Sequence, residues 1–189
     1  MKNAKAQIQQ QVLEMLRSTH IHNIQVKAVT NALGISRSTF YLYYDSVYAV
    51  LQDIEDRYFT GLEAANASFW RYPLKEEYME QPHPVLLDIL HYLRANREVS
   101  NILRGPFGEP MFQVRARKCL EASLCPRPLM ETYYPRDTDL CVAYLIGGHL
   151  EVIHEWMLGG CAMEDEKFCV KLYRLMFAEL FTRRNPPNG

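Results

Sequence analysis

The 189-residue sequence contains no long apolar run. No window approaches the roughly 18 uninterrupted apolar residues that a membrane-spanning helix needs. The first ten residues, MKNAKAQIQQ, lack the apolar core of a signal peptide. Apolar residues make up 48% of the chain and charged residues 23%, a mixture typical of a globular protein. We therefore expect a cytoplasmic protein with no membrane partner.

Signatures of common catalytic sites are also missing. The sequence has no glycine-rich phosphate loop, no GxSxG turn and no HExxH motif. His149 and His154 lie about 140° apart around a helix, so they cannot share a ligand without help from elsewhere. The turn that holds His20 and His22 has no cysteine or carboxylate at ligand spacing, which favours a solvated turn over a metal site. We predict no enzymatic activity, no catalytic residue, no metal and no cofactor.

The cysteines are odd in number and none forms a CxxC pair. They are Cys119, Cys125, Cys141, Cys161 and Cys169. In a cytoplasmic chain the simplest interpretation is reduced thiols that act as small apolar residues. The alternative is a redox sensor at Cys119 and Cys125, because nearby basic residues would favour a thiolate. These basic residues are Arg115, Arg117 and Lys118.

Helical periodicity is present through most of the chain, whereas strand patterns and repeats are not. An apolar stripe predicts an amphipathic helix over residues 4–19. A long helix capped by Asp45 or Ser46 extends to about residue 62 or as far as residue 70, and a proline-rich loop follows over residues 71–84. The remaining helices are predicted at residues 84–96, 98–103, 110–124, 137–158 and 166–183, with a connector through Tyr133, Tyr134 and Pro135.

Residues 26–45, VKAVTNALGISRSTFYLYYD, carry the main functional signal. Apolar residues recur at helical spacing up to Leu33, and Gly34 stands where a left-handed residue would end the helix. Ser36 is placed to cap a second, short helix whose side chains are nearly all polar or amphipathic. Such a helix is stable only when it packs on the preceding one, and it leaves a hydrogen-bonding face exposed. The alternative interpretation is an ordinary helical hairpin in a core.

The run VxxVTNALGISRSTFYLYYDS is similar to the DNA-binding signature of the TetR family of bacterial transcription regulators. Three positions depart from the pattern. Thr30 stands where the family usually has alanine, and it still fits as a small side chain. Gln25 replaces the Ser or Thr that would cap the first helix of the motif, with Asn23 as an alternative cap, and Val47 replaces a lysine that commonly contacts phosphate. A second run, YLIGGHLEVIHEWMLGG at residues 144–160, resembles the penultimate helix of a subset of the family. The matching positions of the first run are Leu33, Gly34, Ile35, Ser36, Ser38, Thr39, Phe40, Tyr41 and Tyr44.

This resemblance implies an all-α fold with two domains. Residues 1–46 would form an N-terminal three-helix DNA-binding domain with the helix-turn-helix, and residues 47–189 a C-terminal helical ligand-binding and dimerisation domain. The protein would be a homodimeric repressor that leaves a palindromic double-stranded DNA operator when an unknown small-molecule effector binds. An alternative within the family is a transcriptional co-regulator that acts mainly through a protein partner. The net charge of +3 for residues 1–47, against −4 for the remainder, agrees with DNA binding.

We expect the first turn of the second motif helix to read DNA bases and the residues around it to contact phosphate or sugar. Arg37 and Ser38 would face base edges, and Arg37 is the better candidate for specificity because a guanidinium can bond a guanine edge twice. For Tyr41 the alternative is that its ring packs on the first helix of the motif. The full set of expected DNA-binding residues is Lys27, Ser36, Arg37, Ser38, Thr39, Tyr41 and Tyr43.

Two further expectations concern the C-terminal part. An effector pocket among the middle helices would use Trp70, Phe112, Arg115 and His149, although aromatic residues at helical spacing more often belong to the core. The helix over residues 137–158 has apolar residues on more than one face, so one stripe can pack on a second copy of the chain. Gly147 and Gly148, each about 1 kcal/mol worse than alanine in a helix, indicate close approach of another backbone, a kink, or room for a ligand.

Overall fold

The computed structural model describes residues 4–184, and this part of the chain is all-α, with no strand. Three short 3-10 helices accompany the α-helices, at Ile21–Asn23, Phe69–Arg71 and Glu76–Met79. The α-helices are α1 Ala4–Met15, α2 Val26–Leu33, α3 Arg37–Tyr41, α4 Val47–Asn66, α5 Pro84–Ala95, α6 Arg97–Arg104, α7 Pro110–Leu124, α8 Arg127–Tyr133, α9 Thr138–Leu158 and α10 Asp165–Arg184.

The described chain divides into two compact units. The first contains residues 4–60 and 98–114, and the second contains residues 61–97 and 115–184. The division falls within α4, which is a continuous helix. Residues 47–60 of α4 belong to the first unit, together with the helices that precede it. No helix within residues 4–184 is both long enough and apolar enough to cross a membrane.

The helices depart from the sequence expectation in four places. α1 ends at Met15 rather than near residue 19, and α4 ends at Asn66 rather than reaching Trp70. The proline-rich segment is not a plain loop, because it holds two 3-10 helices and buries Phe69 and Tyr78. The expected connector before α9 contains the seven-residue helix α8, which has a proline in its first turn, where the missing amide costs nothing.

In the first unit, α1 packs against α2. Ile8 and Val12 on this helix, and Leu16 just after it, lie in the core, each at most 1% exposed. These residues follow the helical spacing of one apolar stripe. On α4, Val50 and Leu51 are buried, and Ser46 caps the helix, since its Oγ accepts a hydrogen bond from the amide of Ala49 at 3.1 Å. The capping role predicted for Ser46 is therefore confirmed.

A fully buried histidine lies at the centre of an aromatic cluster in the second unit. His83 is the N-cap residue of α5, and its Nδ1 accepts a hydrogen bond from the amide of Leu86 at 3.2 Å. Rings surround the imidazole: Phe69 stacks on it at 4.7 Å between centroids, Tyr78 meets it at 4.7 Å, and Tyr173 stacks at 5.8 Å. Burial lowers the pKa of His83 to about 4. The cluster therefore requires a neutral imidazole.

His83 should make the stability of the second unit fall in mild acid. Above pH 6.5 the imidazole is neutral in both states, so it adds no pH dependence. Below pH 6.5 the unfolded chain takes up a proton that the folded chain excludes until about pH 4. The free energy of unfolding should therefore drop by about 3 kcal/mol between pH 7 and pH 4 from this group alone. The His83→Asn variant keeps a capping acceptor but does not titrate. Its free energy of unfolding, measured with urea, should therefore depend less steeply on pH across this range than that of the wild type. An unchanged slope would contradict the assignment.

The thiols behave as small core residues. Cys119, Cys125, Cys161 and Cys169 are buried, Cys141 is half-buried, and none of the five forms a disulfide bond. Burial raises the pKa of Cys125 to about 11, and the charge of Glu121 adds to the effect. The hypothesis of a thiolate-based sensor is therefore wrong for Cys125, because desolvation of the sulfur outweighs any nearby basic residues.

Candidate DNA-binding surface

The turn between α2 and α3 closes on a left-handed glycine. Gly34 has φ 66°, and its amide donates to the carbonyl of Asn31 at 3.3 Å. The amide of Ile35 donates to the carbonyl of Thr30 at 3.0 Å, which satisfies another free carbonyl at the end of α2. A side chain at residue 34 would be strained, because L residues rarely adopt this conformation. The sharp turn lets α3 begin immediately after α2.

The start of α2 carries no side-chain cap. Gln25 is the N-cap residue, and its side chain makes no capping hydrogen bond. Asn23 lies in the preceding 3-10 helix rather than at the N-cap, so the alternative cap expected from the sequence is wrong. α2 therefore depends on packing through the buried residues Val29 and Thr30.

Hydroxyl groups organise the first turn of α3. Ser36 is the N-cap residue, and its Oγ accepts a hydrogen bond from the amide of Thr39 at 3.0 Å, as the sequence predicted. The same Oγ lies 2.7 Å from the Oγ of Ser38 and 2.8 Å from the Oγ1 of Thr39. The hydroxyl of Ser38 thus belongs to the cap as well as to the exposed face.

α3 exposes nearly all of its side chains. Phe40 is its only buried residue and is fully inaccessible. Tyr41 is 53% exposed and meets the Phe40 ring edge-on at 5.6 Å, while Leu42, which follows the helix, is 78% exposed. The other predicted contact residues on this side are exposed, except Thr39, which is half-buried; they are Lys27, Ser36, Arg37, Ser38 and Tyr43. The structure thus places all seven predicted DNA-binding residues in one unit, on α2, the cap, α3 and the segment that follows α3.

A polar network that the sequence did not reveal lies behind α3. The side-chain amide of Gln9, on α1, donates to Tyr44 Oη at 2.6 Å and to Asp53 Oδ2 at 2.7 Å. Tyr44 Oη donates to Asp53 Oδ2 at 2.6 Å, which closes a triangle between α1, the segment after α3, and α4. Gln9 is 6% exposed and Tyr44 7% exposed. Three segments of the first unit therefore meet at one carboxylate.

Two basic residues complete the network. Lys5 Nζ lies 2.8 Å from Asp53 Oδ2, and Arg57 Nη2 donates to Gln9 Oε1 at 3.1 Å. The hydrogen bonds from Lys5 and Tyr44 lower the pKa of Asp53, whereas burial and the bond to Asp53 raise the pKa of Tyr44. The carboxylate is therefore charged and the phenol neutral at any ordinary pH. No short motif indicates this arrangement, since the residues are up to 48 positions apart.

The second unit contains a small apolar cavity beside His149. The imidazole is 7% exposed, its Nδ1 contacts the carbonyl oxygen of Leu145, and burial lowers its pKa. The cavity volume is about 10 Å³, roughly the space for one water molecule. The residues that line it are Cys125, Leu129, Met130, Tyr134, Leu145, His149, Met176 and Phe177.

The other residues predicted for an effector pocket do not line this cavity. Trp70 belongs to the second unit, is 38% exposed and packs edge-on against Phe69 at 5.2 Å. Phe112 is 2% exposed in the first unit, where it contacts the rings of Tyr58 at 5.3 Å and Phe59 at 5.1 Å. Arg115 is half-buried on α7. Of the four predicted residues, the described structure associates only His149 with this cavity.

α9 presents an exposed stripe that is apolar over its first half. Leu140 is 72% exposed and Tyr144 78% exposed. Gly147 and Gly148 continue the stripe at helical spacing, and a Cβ atom built on either glycine would meet nothing within 4 Å. Leu175, on α10, is 62% exposed. Large exposed apolar side chains in one stripe are typical of an interaction surface.

The two histidines before α2 lie in the first unit. Their rings stack at 5.4 Å between centroids, and His20 meets the edge of Phe107 at 5.2 Å. Within residues 4–184, no three histidine, cysteine, aspartate or glutamate side chains come together as metal ligands.

Comparison with known proteins connects this architecture to transcription. Residues 80–178 match the family described as "Transcriptional regulator C-terminal region", TetR_C_8. An uncharacterised HTH-type transcriptional regulator of Bacillus subtilis strain 168, YxbF, is 20% identical over 182 residues, which is 95% of this chain. The chain spans about half the length of that relative, 46%.

Solved structures share the fold. A fatty acid degradation regulator, FadR, from Bacillus halodurans superposes with a TM-score of 0.58 at 17% identity, covering 93% of this chain and 95% of that one. A TetR transcriptional regulator from Streptococcus agalactiae 2603V gives 0.57 at 20% identity, covering 91% and 92%. The dihydroxyacetone kinase operon activator DhaS gives 0.55 at 18% identity, covering 96% and 98%.

Proposed function

This chain belongs to the TetR family of transcriptional regulators, and on that premise we propose that it binds a palindromic operator as a homodimer and represses transcription until a small effector releases it. The observation that carries the proposal is α3, a capped helix that buries only Phe40 and exposes its polar side chains. A helix of this kind contributes little to a core. Its exposed face fits the major groove of DNA, where side chains can reach the edges of the bases.

Within this proposal, the first turn of α3 reads bases. Arg37 is the first residue of α3 and is exposed. Its guanidinium can donate two parallel hydrogen bonds to a guanine edge. Ser38 would add a single bond beside it. Lys27, Ser36, Thr39, Tyr41 and Tyr43 would position the unit through phosphate and sugar, which carry no sequence information directly.

The homodimer follows from how few bases one helix can reach. Two copies related by a two-fold axis would read half-sites about 34 Å apart or farther. The surface we assign to the second copy is the stripe of Leu140, Tyr144, Gly147 and Gly148 on α9, together with Leu175 on α10. Open space beside both glycines allows the α9 helices of two copies to approach closely.

The effector would enter the second unit beside His149. The surrounding side chains are apolar or soft, and methionine side chains such as Met130 and Met176 rearrange readily. A cavity of about 10 Å³ admits no molecule larger than water without such a rearrangement. Effector binding would therefore favour a different packing of α8, α9 and α10, and this change is the proposed means of release.

The alternative is a transcriptional co-regulator that acts mainly through a protein partner, or an activator rather than a repressor. The small cavity favours a partner over a small molecule, because the described packing would have to open before a ligand could enter. A relative of the same fold carries the name of an operon activator. Both alternatives keep the helix-turn-helix. The co-regulator changes what the second unit responds to, and the activator changes the direction of the effect on transcription.

Selection of bound DNA from a random pool by the full-length chain tests the proposal. The expected result is one enriched palindrome with half-sites about one helical turn apart or farther. Placing that palindrome in front of a reporter gene then separates repression from activation by the sign of the change. A pool that shows no enrichment, from a folded protein at low salt, would contradict DNA reading and leave the co-regulator.

A further inference from the structure

We infer that Asp53 is a positioning residue for the DNA-reading helix, acting through the hydroxyl of Tyr44 rather than by touching DNA. The inference rests on the proposed DNA-binding function and adds a residue of α4 to it. The juxtaposition behind it is the closed triangle of Gln9, Tyr44 and Asp53, whose three hydrogen bonds measure 2.6 to 2.7 Å.

α3 needs an anchor of this kind because its own packing is slight. The helix has five residues and buries a single side chain, Phe40. At its start it is held by the Ser36 cap. At its end the amides of Tyr43 and Tyr44 donate to the carbonyl of Phe40 at 3.0 and 3.1 Å, so the backbone stays continuous with α3 up to Tyr44. Whatever holds Tyr44 therefore holds the end of α3.

The chemistry of the triangle makes the anchor firm. A carboxylate that accepts from a phenol and an amide forms charge-assisted bonds, which are roughly twice as strong as neutral ones. Lys5 at 2.8 Å keeps Asp53 charged, and Gln9 is oriented by Arg57, which donates to its Oε1. Each side-chain hydrogen of the Gln9 amide has an acceptor, and so does the hydroxyl hydrogen of Tyr44. A rotation of α3 about its axis would break bonds to two other helices at once.

The direction of the change in DNA affinity when Asp53 is replaced distinguishes a positioning role from a purely electrostatic one. Removing the negative charge of Asp53 should strengthen the attraction of the first unit to any DNA, because phosphate binding is governed by charge. Loss of positioning should instead weaken the selected operator while leaving random DNA bound. The two explanations therefore predict opposite changes for Asp53→Ala at the operator.

The experiment uses the full chain with Tyr44→Phe, Asp53→Ala and the double variant. Tyr44→Phe keeps the ring beside Phe40 and removes only the hydroxyl, so the fold should be retained, which thermal unfolding checks. Amide hydrogen exchange of Tyr43 and Tyr44 without DNA should become about tenfold faster in all three variants. Operator Kd should rise about tenfold, while the Kd for random DNA should change by less than about twofold in Tyr44→Phe and should not rise in Asp53→Ala. The double variant should lose no more operator affinity than the weaker-binding single variant, because the residues act as one network.

Two control substitutions match the variants. Tyr48→Phe removes the hydroxyl of a tyrosine that is 52% exposed on α4, and it should leave the exchange of Tyr43 and Tyr44 unchanged. Glu63→Ala removes an exposed negative charge from the same helix and should not weaken the operator complex.

Three results would overturn the inference: unchanged amide exchange, unchanged operator Kd in the folded variants, or an equal loss for operator and random DNA. A wild-type chain that binds no DNA would contradict the proposed function as well, whereas a wild-type chain that binds its operator and variants that bind equally well would contradict this inference alone. The exchange measurement decides between these cases because it needs no DNA.

Discussion

Arg37→Ala is expected to weaken binding to the selected operator by about 5- to 150-fold, the equivalent of roughly 1 to 3 kcal/mol. The lost contact should belong to one base pair of each half-site. The affinity of the variant should therefore not change further when that base pair is substituted. The physical reason is that the exposed guanidinium at the first turn of α3 bonds a guanine edge twice, and alanine bonds it not at all. Titration of the operator and its single-base variants by fluorescence anisotropy measures both quantities.

Lys27→Ala is the matched control for this prediction. Lys27 is exposed on α2, and its expected contact is phosphate. Its loss should weaken binding to all DNA sequences alike without changing base preference. The slope of log K against the logarithm of the salt concentration should become smaller in magnitude by about one. If Arg37→Ala bound the operator as tightly as the wild type, the base-reading role would be wrong. If it behaved as Lys27→Ala does, Arg37 would be a phosphate contact.

Gly148→Leu should convert the dimer to a monomer and weaken operator binding by about a hundredfold or more, since one half-site is lost. In a single chain the new side chain enters open space, and leucine favours a helix by roughly 0.8 kcal/mol over glycine, so the monomer should remain folded. Between two closely packed α9 helices the same side chain would force the backbones apart. Sedimentation at micromolar concentration should show 22.1 kDa instead of twice that mass.

Two further variants sharpen the dimer test. Tyr144→Lys places a charge in the centre of the same stripe and should have the same effect, because the tyrosine is 78% exposed in the single chain. Ala95→Leu adds a comparable side chain at an exposed position of α5, away from the stripe, and should leave both mass and affinity unchanged. A wild-type protein that sediments as one monomeric species would remove the interface and the two-fold reading of DNA together.

Several elements could be predicted from local sequence because their causes are local. The left-handed conformation of Gly34 ends α2, and a serine oxygen caps α3, each within four residues of the groups it serves. The apolar stripe of α1 likewise predicts which face of the helix is buried. In contrast, α8 was missed because a seven-residue helix bounded by prolines has too little periodicity to separate it from a loop.

The functional details beyond the motif depend on distant residues. Nothing in the sequence around Tyr44 indicates that its hydroxyl meets Asp53 and a glutamine of α1. The same holds for His83, where Phe69, Tyr78 and Tyr173 enclose the imidazole and remove it from water. Aromatic content alone also could not separate a pocket from a core, and the described packing places only His149 at the cavity.

The sequence by itself determined the class of this protein: an all-α chain with a short, capped, polar helix after a glycine turn and a helix near its C-terminus with apolar residues on more than one face. These features follow from periodicity, capping and backbone freedom, which act over a few residues. Only the tertiary structure decided which polar groups are buried together, how small the cavity beside His149 is, and that Asp53 bonds Tyr44 behind α3. Desolvation and hydrogen bonding between distant segments exist only after the chain has packed, so they leave no local pattern to read.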